Sequence, residues 1–240
     1  MMPLKLKVDL HTHTAEDVAE RAVGRSSLIA AKKFIDIAIE NQFDVIAFTH
    51  HGVYFNDPSV FSYAKERGLL LIPGIETFIE RKHVLLINFT ERKYILTFEN
   101  LKKYKHDQML VIAPHPYYLT NVCLGNYLEK YIECFDAIEY CHYYYKFFNL
   151  NKKALQIAKK YNLPVVGNSD AHNIKQFGTT YSYVYAEEKS IPAVLSAIKQ
   201  GNVEYVSHPL SLREFFLETV WLFENLPHVF QLKLKKRLAR

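Results

Sequence analysis

The sequence predicts an α/β barrel, and three observations carry that expectation. Short apolar runs alternate with helical patterns along the chain, as βα units around a parallel sheet do. Polar residues of metal-ligand type recur where those runs end, which is where parallel barrels build their sites. The 240 residues fit the roughly 200–250 that one such barrel occupies. With no linker, repeat or low-complexity stretch, residues 1–240 are expected to form one domain, with 210–240 as a helical, basic extension.

Taken in order, Leu4 to Leu10 is the first predicted strand. Ser26 or Ser27 can cap a helix in which Leu28, Ala31, Phe34, Ile35, Ala38 and Ile39 recur at helical spacing. Asp44 to Thr49 reads as the second strand. A helix near Ser59 to Arg67 follows, then strands Leu69 to Ile75 and His83 to Phe89. Next come a helix near Asn100 to His106 and strands Met109 to Ala113 and Ala137 to Tyr140. The helix Leu150 to Tyr161 stops before Pro164, which leads into the strand Val165 to Asn168. Tyr183 to Ala186, a helix Ile191 to Gln200 closed by Gly201, and a final apolar helix around Leu212 to Phe223 complete the pattern.

Hydrophobic residues make up 49% and charged residues 23% of the chain, which excludes the disordered and fibrous classes. The net charge of +5 is modest. Its densest basic run, Lys233, Lys235, Lys236, Arg237 and Arg240, reads as a solvated face, so nucleic-acid and membrane partners are not expected. Cys123, Cys134 and Cys141 cannot all pair and form no C-x-x-C, which excludes a disulfide framework and a thiolate metal site. No apolar stretch is long enough to span a bilayer and none resembles a leader, so the cytoplasm is the default location.

The chemistry is concentrated at the strand ends. His11-Thr12-His13 follows the first, His50-His51-Gly52 the second, and Pro73-Gly74-Ile75-Glu76 the third. His83 opens the next strand, Pro114-His115-Pro116 closes another, and Ser169-Asp170-Ala171-His172 follows Asn168. In an H-x-H on extended chain both imidazoles point to one side, so they can converge on one ion; Asp170 and His172 share that geometry. Histidine is an uncommon and costly choice near a barrel core. An all-nitrogen-and-oxygen set of this size suits two or three divalent cations of Zn, Mn or Fe, with Glu76 as the bridging carboxylate.

These residues resemble the PHP family, named for polymerase and histidinol phosphatase. The likeness runs from Val8-Asp9-Leu10-His11-Thr12-His13-Thr14 to about Val206. It includes Ala38 to Gly52, Gly74 to Glu76, Ala113 to Pro116 and the G-N-S-D-A-H at Gly167 to His172. The resemblance implies a distorted (β/α)7 barrel and a trinuclear metal centre. It implies a first metal on His11, His13, Glu76 and Asp170, a second on His51 and His172, and a third on Glu76, His83 and His115. For the remaining ligand of the second metal the family pattern points to Asp17, with Glu16 as the alternative. Where the family more often has T-D-H this chain has Thr49-His50-His51, which alters the surroundings of the neighbouring ligand. Glu139 matches a position read as support for the ligands.

The expected function is hydrolysis of a small phosphate monoester, such as histidinol phosphate or a nucleotide monophosphate, through a hydroxide bridging the metals. Asp170 or His172 would pass a proton to the leaving alkoxide. Arg21, Arg25 and Lys146 are candidates to grip the phosphate, and the aromatic run Tyr140 to Phe148 could stack on a ring. Two other functions fit part of the pattern. One is a C–N hydrolase of amidohydrolase type, disfavoured because Glu76 stands where that class commonly uses a lysine. The other is a metal-stabilised module without turnover.

Overall fold

A computed structural model describes residues 2–22, 28–89 and 95–220. Seven strands form the barrel wall: β1 (Leu4–Thr12), β2 (Val45–Phe48), β3 (Leu70–Ile79), β4 (Lys82–Ile87), β5 (Leu110–Ala113), β6 (Ala137–Cys141) and β7 (Val165–Asn168). β8 (Thr180–Ala186) and β9 (Val203–Ser207) extend the sheet beyond β1, in the order β7-β6-β5-β4-β3-β2-β1-β8-β9. The result is a mixed α/β, nearly closed, distorted TIM-like barrel.

The distortion lies at two strands that depart from the all-parallel pairing of an ideal βα barrel. β4 runs antiparallel to both β3 and β5, and β8 runs antiparallel to β1 and β9. The cause at β4 is local. Ile79 pairs with Lys82, so only Glu80 and Arg81 make the turn, both at positive φ (47° and 68°). That is the conformation of a tight hairpin, too short for a crossover helix.

Alternation along each strand separates two layers. Val8, Val45, Ile72, Leu85, Ile112 and Val166 pack together in one core. The opposite faces pack under helices. Ile46 and Phe48 lie against α2 (Ala31–Glu40), whose buried Ala31, Phe34, Ile35 and Ala38 keep helical spacing, and against Val60 and Ala64 of α3 (Pro58–Glu66). Val111 and Ile138 lie against Leu101 of α4 (Phe98–Tyr104) and Ala154 of α5 (Asn151–Tyr161). The alternation that sends Ile72, Leu85 and Val166 inward also sends Glu76, His83 and Asn168 inward. The interior is therefore apolar at one end and polar at the other.

β1 contains the exception that aims the site. Val8 pairs with Val45 but Thr12 with Phe48, so β1 spends one residue more than β2 between these pairs. A bulge of one residue switches the face that follows it. Thr12 thereby shares the outward side of Phe48, and His11 and His13 turn inward.

Closure between β7 and its neighbours uses side chains. Ser182 Oγ accepts from Gly167 N (2.8 Å) and donates to Gly167 O (3.1 Å), while Asn168 Oδ1 accepts from Leu10 N (2.9 Å). The Asp9 carboxylate accepts from Ser169 N (3.2 Å).

Ser26 and Ser27, the expected helix cap, lie outside the described residues. α2 starts at Ala31, and its first N–H donates to the Glu16 carboxylate (3.0 and 3.1 Å). Residues 212–220 are helical; 221–240, which include the basic run, lie outside the described residues. No described helix is long and apolar enough to cross a membrane.

Candidate metal centre

Glu76 is the hub of the polar end. It is 1% exposed, and its two oxygens face different imidazoles. Oε2 lies 2.9 Å from His51 Nε2, 3.5 Å from His11 Nε2 and 3.6 Å from His13 Nε2. Oε1 lies 2.5 Å from His83 Nδ1 and 3.2 Å from His115 Nε2. Asp170 Oδ1 completes the first group, 3.1 Å from His11 Nε2 and 3.5 Å from His13 Nε2.

These separations test whether the donors fit cations. Two donors bound at about 2.0–2.2 Å and about 90–110° apart lie about 3–3.6 Å from each other. Moreover, His11 Nε2, His13 Nε2, Glu76 Oε2, His83 Nδ1 and Asp170 Oδ1 are sealed from solvent and make no hydrogen bond. Buried polar atoms at that spacing fit bound divalent cations. Groups able to hold one ion include His11, His13 and Glu76; His11, His115 and Asp170; His51, Glu76 and His83; and His13, His51 and His172.

The opposite ring nitrogens are held by oxygen. Glu139 Oε2 lies 2.8 Å from His11 Nδ1. Asp17 Oδ2 lies 3.0 Å from His13 Nδ1 and 3.1 Å from His51 Nδ1, and it also accepts from His51 N (2.9 Å). His172 Nδ1 lies 2.9 Å from the Asp170 carbonyl. A ring that donates from Nδ1 keeps the lone pair on Nε2, so each contact fixes the tautomer a ligand needs.

The local charges hold one another. Burial opposes ionisation of Glu76, yet the imidazoles of His83, His51 and His11 keep its carboxyl well below the usual range. Burial likewise opposes charge on His51, and Glu76, Asp17 and Glu20 overcome it to push its pKa up to about 10. His83 goes the other way, to about 4, because burial outweighs Glu76.

All nine residues expected to bind metal converge here: His11, His13, Asp17, His51, Glu76, His83, His115, Asp170 and His172. Glu16 does not join them, since it caps α2. A carboxylate the sequence reading passed over does. Glu20, in the short helix Val18–Ala22, places Oε1 3.5 Å from His51 Nδ1 and 3.6 Å from His172 Nε2. Its signal was its place three residues after Asp17, one helical turn on.

His50 faces away from the cluster, between Phe48 and Phe55, with Nε2 2.8 Å from Thr14 Oγ1. Burial, reinforced by His13, pushes its pKa down to about 3, so it is a neutral packing group. Lys146 is exposed, with Nζ 5.6 Å from the Phe147 ring, and no described contact ties it to the cluster. Arg25 and the side chain of Arg21 lie outside what is described. Of the aromatic run, Tyr140 stacks on Tyr205 and Tyr143 on Phe215. Tyr118, beside His115, donates its hydroxyl to Tyr143 O.

Comparison with known proteins agrees with this architecture. The profile of the PHP-associated family, PHP_C, matches residues 149–203. A two-domain protein from Bacteroides vulgatus, containing a predicted PHP-like metal-dependent phosphoesterase, superposes with a TM-score of 0.61 at 21% identity, over 89% of this chain and 68% of that one. PsfC from Pseudomonas syringae gives 0.60 at 14% identity, over 92% and 98%. The lesion-specific endonuclease EndoQ from Pyrococcus furiosus gives 0.55 at 16%, over 84% and 58%. At these identities the likeness is one of fold. No curated protein matches the sequence.

Proposed function

We propose, from the premise that this chain is a PHP-domain protein, that it is a metal-dependent phosphoesterase acting on a small phosphate monoester. The observation that carries the reading is the split of Glu76 between two sets of imidazoles, Oε2 toward His11, His13 and His51, Oε1 toward His83 and His115. In this reading His11, His13, Glu76 and Asp170 would hold a first cation, and Glu76, His83 and His115 a third. His51 and His172 would hold the second, with its oxygen donor supplied by Asp17 or by Glu20, which group with His51 and of which Glu20 also approaches His172 Nε2 at 3.6 Å.

Divalent cations in such a cluster lower the pKa of water and neutralise charge on a phosphoryl group. The chain's own part is to fix these donors. Glu139, Asp17 and the Asp170 carbonyl set the tautomers of His11, His13, His51 and His172 before substrate arrives. Asp170 and His172 are the proposed carriers of a proton to the departing alkoxide. Their side chains are 17% and 14% exposed, whereas those of His11, His13 and Glu76 are sealed from solvent.

The test is elemental analysis of protein purified without chelator, paired with turnover of p-nitrophenyl phosphate and of bis-p-nitrophenyl phosphate after Mn²⁺, Zn²⁺ or Fe²⁺ reconstitution. Two or three metals per chain with turnover of the monoester is the expected result. Preference for the diester would move the substrate class to phosphodiesters. Absence of metal after reconstitution would remove the reading.

A further inference from the structure

Four of the imidazoles described above, those of His11, His13, His51 and His172, have Nδ1 beside an oxygen. In His115 the corresponding atom faces sulfur. Cys123 Sγ lies 3.4 Å from His115 Nδ1, and Thr120 Oγ1 lies 3.1 Å from the same sulfur. Both Cys123 and His115 are buried. With a cation held between His115 Nε2 and Glu76 Oε1, Nε2 would keep its lone pair, so the ring proton would sit on Nδ1 and donate to the sulfur, while the thiol hydrogen turns to Thr120.

The turn that carries this thiol also holds the other imidazole facing Glu76 Oε1. Cys123 N donates to Thr120 O (3.2 Å), closing the turn, and Val122 O accepts from His83 N (2.8 Å). Lys82 Nζ donates to Asn121 O (2.8 Å). One segment of four residues therefore fastens the start of β4 by its backbone and His115 by its thiol. Position 115 is under tension of its own, with φ at +29°, a region that residues with a Cβ rarely adopt. An external grip on the ring is what such a backbone lacks.

We propose that the Thr120–Cys123 turn is the clamp of the third cation site and that Cys123 is its positioning residue, acting through His115. The proposal rests on the reading of Glu76, His83 and His115 as a cation site. Cys123 does not touch the cation. It holds the tautomer and the ring plane that let Nε2 serve as a donor.

The experiment uses the full chain stripped of metal and titrated with Mn²⁺, reading metal per chain and the affinity of each step, with thermal midpoints of the metal-free proteins alongside. His115→Ala is the reference and loses one metal. Cys123→Ala weakens that same step by about 10–100-fold, with the other steps unchanged. Cys123→Ser, whose hydroxyl accepts the same N–H, recovers most of the loss. Long-range ¹H–¹⁵N spectra of the Zn²⁺-loaded protein show a protected His115 Nδ1–H in the wild type and its loss to solvent exchange in Cys123→Ala.

Unchanged affinity in Cys123→Ala, with one metal lost in His115→Ala, overturns the positioning role and leaves the metal reading standing. Failure of Cys123→Ser to recover the loss reduces the thiol to packing and also overturns the role. Full metal content in His115→Ala removes the third site itself. If Cys123→Ala does not fold, the Cys123→Ser affinity decides: a value near wild type supports the role, and a loss as large as that of His115→Ala overturns it.

Discussion

Asp17 governs two imidazoles with one oxygen. Oδ2 meets the Nδ1 atoms of His13 and His51, while Oδ1 accepts from Ala19 N and Glu20 N and so starts the helix that carries Glu20. Asp17→Asn leaves one acceptor oxygen and puts an amide N–H₂ against donors. We expect its metal affinity to fall about 10–100-fold, measured by Mn²⁺ titration with circular dichroism as the check on folding. The H-x-H was legible in sequence because side-chain direction on a strand has period two. The division of labour among Glu16, Asp17 and Glu20 was not, since three nearby carboxylates have the same chemistry until the chain path assigns one to α2, one to the rings and one to the cluster.

Elements decide where those residues point. The inward aim of His11 and His13 depends on the bulge in β1, a pairing relation to β2 that the local sequence does not contain. The reversal of β4 was hidden for a different reason: the expected strand ended at Ile75, whereas β3 runs on to Ile79 and leaves only Glu80 and Arg81 for the turn, and apolar alternation does not mark where a strand stops. Gly167 marks another such constraint. A Cβ there would meet Tyr181 O at 2.6 Å and Tyr205 Cβ at 3.0 Å, so Gly167→Ala forces β7 away from β8 and β9. A loss of about 2 kcal/mol is expected by urea unfolding, within the range for overpacked sites.

The 212–220 helix supplies a pH-dependent contact. Its Glu218 Oε2 lies 3.2 Å from His142 Nε2, and Thr219 and Phe215 meet Tyr143. Burial opposes charge on His142, but Cys141 and Glu218 hold its pKa well above the usual value. A histidine whose folded pKa is raised contributes stability that is full below its unfolded value of about 6.5 and is lost as pH rises through the folded one. Glu218→Gln should therefore cost about 2 kcal/mol at pH 6 and progressively less toward pH 9, read from unfolding midpoints across that range. An equal cost at both ends would show that the contact is one of packing.

At the scale of the molecule, the sheet is a cylinder with one dry end and one ligating end. The alternation of βα units made the barrel legible from the sequence. The β8–β9 extension and the side-chain closure through Ser182, Asn168 and Asp9 were not, because they depend on which strands become neighbours. The ligating end buries carboxylates and imidazoles that cations would balance. Removing metal with a chelator should lower the unfolding midpoint, since a ligand at a thousand times its Kd adds about 4 kcal/mol to the folded state. For a chain of this length that is a shift on the order of 10 °C. Restored Mn²⁺ should reverse it, and a chelator-insensitive midpoint would mean that the cluster is stable by itself.

The hairpin of β3 and β4 bears on the order in which this end is assembled. Glu76 lies opposite Leu85 and His83 opposite Phe78, so Glu76 and His83 are diagonal neighbours across two strands joined by Glu80 and Arg81 alone. Closing so short a loop costs the chain little entropy, whereas joining His115 to Glu76 spans 39 residues and Glu139 to His11 spans 128. On this ground Glu76 is expected to meet His83 before it meets any histidine of another hairpin or βα unit, so that the distant histidines arrive at a carboxylate already paired.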